Sequence, residues 1–165
     1  MREFGWCRLL VAVVLAVGAL TIPSLKASSA SWNGIEPFKS RRADVERILG
    51  KAASEGPDGI LHFNVAGGTV TVAFVGADFV ASKKLRPELE GTVLQIILQH
   101  EKSSDTPESL GLTTNHKFVA ENVQNATIFR NLKEGIIYTF VDGRLKTTRF
   151  TFSDAQLGHV LKTLR

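Results

Sequence analysis

Strict alternation of apolar and polar residues between Leu61 and Phe74 is the feature that most limits how this chain can fold. Apolar side chains occupy every second position on both sides of a Gly67-Gly68 tip. A period of two is typical of a strand with one buried face, and two such runs joined by a short glycine tip indicate a β-hairpin. The chain therefore contains an antiparallel sheet with one buried face.

Four further segments extend this sheet. Thr92–Gln99 is the most apolar run after the N-terminal segment and predicts a central strand covered on both sides. Asp142-Gly143 favours a type I′ turn, in which both central residues have positive φ. Three predicted strands, the last two joined by that turn, form a meander: Ala126–Arg130, Ile136–Val141 and Arg144–Phe152.

Three helix signals accompany the strands. Ser40 is the predicted N-cap of a first helix that ends at Gly50. Thr106-Pro107-Glu108 predicts the start of a short second helix, because proline is favoured in the first turn. Ser153 and Gln156 form a capping box, which predicts a closing amphipathic helix. The apolar stripe of that helix comprises Leu157, Val160, Leu161 and Leu164.

The predicted fold class is α+β. It comprises a capped N-terminal helix, an antiparallel sheet of about six strands and a C-terminal amphipathic helix. The order of elements also suggests two helix-plus-meander units, although no residue-level self-similarity accompanies it.

An uninterrupted apolar run, Leu9–Ile22, dominates the N-terminus. Its 14 residues are fewer than the ~20 that span a bilayer, and they match a secretory signal peptide. Small residues at Ser28 and Ala30 favour cleavage before Ser31. We therefore expect a signal peptide over residues 1–30, one domain over residues 31–165, and export to the periplasm or the extracellular space. The alternative is an uncleaved anchor in the inner membrane, which Lys26 in the cleavage region leaves open.

Cysteine use and charge narrow the class of protein. Cys7 is the only cysteine and precedes the apolar run, so the cleaved chain has neither disulfides nor a lipid-bearing cysteine. The formal net charge of +4 falls to +2 once the leader is removed, which is too balanced to indicate nucleic-acid binding. Basic residues nevertheless concentrate after residue 130.

This concentration defines a candidate binding face comprising Arg130, Lys133, Arg144 and Lys146. A basic sheet face in an exported protein can meet anionic lipid headgroups, a polyanion or an acidic protein. The alternative is an ordinary solvated strand face whose charges discourage pairing at the sheet edge.

Motifs for the common chemistries are missing. No nucleophile elbow, phosphate-binding glycine loop or paired-histidine metal motif occurs, so no cofactor, metal site or catalytic residue is predicted. His100 and Glu101 at a strand end form the only candidate base and orienting carboxylate, which keeps a small envelope hydrolase as an alternative. Polar residues at a strand end are the ordinary interpretation.

The opening of the cleaved chain resembles an uncharacterised family of exported bacterial proteins. Its Trp32-Asn33-Gly34-Ile35-Glu36-Pro37 matches W-x-G-I-x-P, and the stretch from Ser40 to Gly50 matches S-x-x-x-D-V-x-x-x-L-G. More distantly, a capped helix before a meander with an Asp-Gly turn is similar to the BamE outer-membrane assembly lipoproteins. Two such units in tandem would resemble β-lactamase-inhibitor-like proteins. These resemblances imply a fold and an envelope location but no site residues.

The sequence therefore predicts an exported cell-envelope protein that binds or scaffolds a protein partner rather than catalysing a reaction. The envelope hydrolase and the polyanion or lipid-surface binder stay as alternatives.

Overall fold

Eight antiparallel strands and three helices make up the computed structural model, which describes residues 30–162. The predicted α+β class is confirmed, with eight strands instead of about six. The signal-peptide prediction, apart from Ala30, and Leu164 lie outside the described residues. The helices are α1 (Arg42–Leu49), α2 (Ala77–Lys83) and α3 (Asp154–Lys162). The strands are β1 (Ser54–Glu55), β2 (Leu61–Val65), β3 (Gly68–Phe74), β4 (Val93–His100), β5 (Val119–Val123), β6 (Ala126–Asn131), β7 (Ile136–Val141) and β8 (Arg144–Thr151).

All strands belong to one sheet with the order β1-β2-β3-β4-β8-β7-β6-β5. Strands β1 to β4 form one meander and β5 to β8 a second, since each strand pairs with the next along the chain. The two meanders join where β4 runs antiparallel to β8, from Gln95 opposite Thr151 to Gln99 opposite Thr147. The sheet therefore has two edges, β1 and β5.

The first helix begins one residue later than the sequence predicts. Arg41, not Ser40, is the N-cap, and the Asp44 carboxylate accepts a hydrogen bond of 3.0 Å from the Arg41 backbone N–H. The Ser40 hydroxyl instead accepts from the backbone N–H of Glu36, while its carbonyl accepts from that of Val93 at 2.7 Å. Ser40 thus fastens the lead-in segment to β4 and cannot cap the helix.

Helix α1 covers the first meander. Val45 is fully buried and belongs to a cluster with Ile35 and with side chains of β2, β3 and β4: Leu61, Phe63, Val70, Val72, Val93 and Ile96. Burying each of these side chains contributes about 1.5–3 kcal/mol, so this cluster is the main source of stability in the first half.

A second cluster docks α3 at the end of the sheet. Val160 packs with Val75, Leu85 and Leu89, and Leu157 lies against the same cluster. Leu161, predicted to share this stripe, is 41% exposed. Its side chain points away because the cluster reaches only one side of the helix. The capping box is confirmed, since the Ser153 hydroxyl accepts from Gln156 N–H and the Gln156 side chain accepts from Ser153 N–H.

The second meander has a core without a helix. Leu112 lies in the loop between β4 and β5 and packs with Phe129, Phe140 and Leu145. The helix predicted at Thr106 does not form. The Thr106 and Ser109 hydroxyls each accept a hydrogen bond from the other residue's backbone N–H, which holds this segment in turns.

Candidate functional site

The strand register sorts the side chains of the sheet onto two faces. Successive residues of a strand point to opposite sides, so residues aligned across the strands share a face. The row from Leu61 through Val72 and Ile96 to Phe150 faces α1 and the buried clusters. Two alternate rows point the other way, and we call them the open face. The rows are His62, Thr71, Ile97, Arg149, Ile137, Arg130 and Val119, and Asn64, Thr69, Gln99, Thr147, Thr139, Ile128 and Glu121.

Among the residues that the structure describes, no side chain of the open face belongs to a buried cluster. All of them are half-buried or exposed. The sequence predicted that β4 is covered on both sides, and this holds only in part: Leu94 packs against the second buried cluster, whereas Ile97 belongs to none of the three clusters. Ile97 is half-buried, because α1 lies on the opposite face of the sheet.

The open face combines apolar and hydroxyl side chains. Three isoleucines, Ile97, Ile128 and Ile137, stand among nine polar positions on the six strands from β2 to β6 in sheet order. Two of its four threonine hydroxyls pair with neighbours across the strands: Thr71 with His62 at 3.1 Å, and Thr69 with Gln99 at 3.0 Å. Such cross-strand pairs hold the side chains in place, so the face presents a preformed surface.

Two arginines give the open face its charge, and they differ. Arg130 forms an ion pair with Glu121 on the neighbouring strand. Arg149 lies directly between Ile97 and Ile137 in the register. Its exposed guanidinium forms no hydrogen bond or ion pair with any residue from 30 to 162. The sequence analysis did not identify Arg149. The alternation along β8 could have shown that Arg149 faces away from the buried Thr148.

Half of the predicted basic set lies at one end of this face. Arg130 and Lys133 line an open cleft of about 1170 Å³ together with His116 and Lys117 from the loop before β5. Lys117 forms an exposed ion pair of 2.9 Å with Glu134. The cleft is basic, but its charges are partly neutralised.

The other half of the set lies at the opposite end of β7. Arg144 follows the Asp142-Gly143 turn, and its guanidinium donates a 2.6 Å hydrogen bond to the Ser104 carbonyl. Lys146 of β8 has no residue opposite it on β7, because the register shifts between Thr139 and Phe140. Arg130 lies opposite Ile137, whereas Arg144 lies opposite Val141. These two positions are four residues, or roughly 13 Å, apart along β7, so the structure does not unite the four cations in one compact patch.

His100 and Glu101 do not form the hydrogen-bonded pair of base and orienting carboxylate that the hydrolase alternative needs. His100 Nε2 lies 2.9 Å from the hydroxyl of Thr148, and Glu101 is exposed. Burial lowers the pKa of His100, and the Asp105 carboxylate opposes this shift. The small cleft of about 260 Å³ beside His100 also contains Ser103, whose hydroxyl donates to Asp105 rather than to the imidazole. No described carboxylate orients the imidazole, so this arrangement lacks an activated nucleophile.

Within residues 30–162, no group of three or more histidine, cysteine, aspartate or glutamate side chains could hold a metal ion. No known protein family, curated protein or solved structure matches this chain.

Proposed function

We propose that this chain is an exported cell-envelope protein that binds a protein partner through the open face of its sheet. The observation that carries the proposal is the open face itself, whose two rows cross seven strands and contribute no side chain to a buried cluster of the described residues. A large uncovered surface with rigid apolar and hydroxyl side chains is typical of an interaction site.

The dimensions of the open face favour a macromolecule over a small ligand. It crosses seven strands, and at about 4.8 Å between neighbours its width is about 29 Å. With strands of five to eight residues, its area approaches the ~800 Å² that each partner contributes to a standard protein–protein interface. A small ligand would favour an enclosing pocket, whereas the cleft of about 1170 Å³ beside Arg130 is open to solvent and occupies only one end of the face.

The chemistry of the open face supports the same proposal. Arg149 is an exposed cation between two isoleucines, and arginine ringed by apolar side chains is common at the energetic centres of interfaces. A carboxylate on the partner would find this guanidinium free of competing ion pairs within the described chain.

The envelope location is supported by the sequence. The apolar run Leu9–Ile22 is too short to span a bilayer and is followed by small residues suited to cleavage. Across residues 30–162, none of the helices has the length and apolar character needed to traverse a bilayer.

Site-specific photo-crosslinking in the native envelope tests this proposal. A photoreactive amino acid at Thr71 or at Thr139 places the probe on the open face, on the first and second meander respectively. Matched exposed controls are Lys51, after α1, and Ala81, on α2. We expect both open-face probes to give the same discrete protein adduct and the controls to lack it.

Two results would contradict the proposal. One is an adduct of equal yield from Ala81, and the other is no adduct from either open-face position. Loss of binding to anionic vesicles in Lys133→Glu, without any adduct, would instead favour the alternative of an anionic-surface binder.

A further inference from the structure

The two edges of the sheet are protected to very different degrees. Strand β1 has only two residues and runs into Gly56-Pro57, which has no backbone N–H at the proline. Its Glu55 carboxylate is held by the Arg42 guanidinium through two hydrogen bonds of 2.8 and 2.7 Å. A short strand closed by proline and an ion pair is a poor template for another strand.

Strand β5 at the other edge is longer and contains no proline, although its Glu121 forms an ion pair with Arg130 of β6. All five residues from Val119 to Val123 are exposed, and the strand contains neither proline nor lysine. Val119 is 71% exposed and Val123 is 44% exposed, which places two of the most exposed large apolar side chains of the described chain on one edge. A strand of this kind is a ready template for backbone pairing.

The free hydrogen-bonding groups of β5 can be assigned from its pairing with β6. Val123 and Ala126 flank the two-residue turn and pair across it, and opposed residues alternate between bonded and non-bonded pairs. The backbone N–H and C=O groups of Ala120 and Asn122 therefore point away from β6, toward solvent.

We infer that β5 is the docking strand for a second copy of this chain, paired antiparallel across a twofold axis. The register that satisfies all four outward groups sets Ala120 of one copy opposite Asn122 of the other. The same register places Val119 against Val123 at both ends of the pair. Glu121 meets its own copy at the centre, and each carboxylate already has Arg130 of its own chain as a counter-ion.

Because β5 is the one unprotected edge of each copy, this pairing stops at a dimer. Antiparallel self-pairing uses the same strand on both copies, so both β5 edges disappear. The β1 edges that remain are the protected ones and do not continue a fibre. Five residues a side are far fewer than the roughly 20–30 a side of a stable interface, so the dimer is weak and reversible. Val119, Glu121 and Val123 all belong to the open-face side, so the paired sheet is continuous across both copies. This inference does not depend on the partner proposed above.

Sedimentation equilibrium of the protein, purified as the cell processes it, measures the dimer between about 10 and 500 µM. Ala120→Pro removes one outward N–H on each copy but leaves the pairing with β6 intact, because an edge strand tolerates proline where the N–H faces solvent. Val119→Lys places a charge on the same edge at a position already exposed in the monomer. Leu110→Lys is the matched control, since Leu110 is 39% exposed and lies outside β5.

We expect a reversible dimer whose Kd rises at least about tenfold in Ala120→Pro, which removes two hydrogen bonds per interface. A similar rise is expected in Val119→Lys, which replaces an apolar contact at both ends of the strand pair with a charge. Leu110→Lys should leave the Kd unchanged. Circular dichroism spectra that match wild type establish that the variants are folded. A protein that stays monomeric at 500 µM overturns the inference, and so does any variant pattern other than the one expected.

Discussion

Val160→Ala should lower the free energy of unfolding by about 2 kcal/mol, because this side chain fastens α3 to the rest of the domain. Val160 is 6% exposed and packs against Val75, Leu85 and Leu89. A helix of nine residues is marginal in water, so α3 depends on such tertiary contacts.

Three terms give this magnitude. Removing two methyl groups from a buried site costs ~1.6 kcal/mol at about 0.8 kcal/mol each. The cavity that remains costs roughly 1 kcal/mol more where the surroundings relax only partly. Alanine returns about 0.5 kcal/mol, since it has a higher helix propensity than valine. The loss of packing therefore exceeds the gain in propensity.

Urea denaturation followed by far-UV circular dichroism measures the effect. With an m-value of about 2 kcal/mol/M, the midpoint should fall by about 1 M urea. Leu161→Ala is the matched control on the same helix. Leu161 is 41% exposed, so its midpoint should move by less than about 0.3 M. Equal shifts in both variants, or no shift in Val160→Ala, would refute the assignment of Val160 as the docking residue.

Three other measurements check separate parts of the structure. Burial lowers the pKa of His100, so the unfolded chain takes up that proton first on acidification. The free energy of unfolding from urea titrations should therefore fall between about pH 7.5 and pH 5.5, and fall less in His100→Gln; identical slopes would count against this. Gly135→Ala should cost about 3 kcal/mol or more in the same assay, because its φ is +75° and a Cβ would strike the carbonyl oxygen of Thr151. Gly143→Ala, at φ +72° in open space, should cost only about 1 kcal/mol, and equal costs would contradict the steric argument. Intact-mass measurement of the envelope protein should give a chain that begins near Ser31, whereas a mass including the leader would indicate an anchored form.

Local sequence patterns were sufficient to predict much of the second meander. The Asp142-Gly143 turn forms with both φ values positive, at +50° and +72°, and β7 and β8 flank it as the alternation predicts. The Ser153 capping box also forms as predicted. These features depend on residues within a few positions of one another, so the sequence carries the whole signal.

Elements with weak local signals were missed. Strand β5 has no alternation that marks a buried face, because all of its residues are exposed. Its existence follows from its pairing with β6. Helix α2 was not predicted from the sequence, and it forms where Phe79 and Val80 pack against the second cluster. In both cases the element forms because of the segment that it packs or pairs with, and a short window of sequence does not contain that segment.

The sequence alone determined that this chain builds an antiparallel sheet with one buried face and closes with an amphipathic helix, because side-chain period and turn chemistry are local properties. Only the tertiary structure decided that β4 pairs with β8 about 50 residues later, and that α1 covers one face of the first meander and leaves the other uncovered. The same arrangement left Arg149 exposed between two isoleucines and separated Arg130 from Arg144. A face is defined by residues brought together from several strands, and the register between distant strands is set by the packing of the whole core.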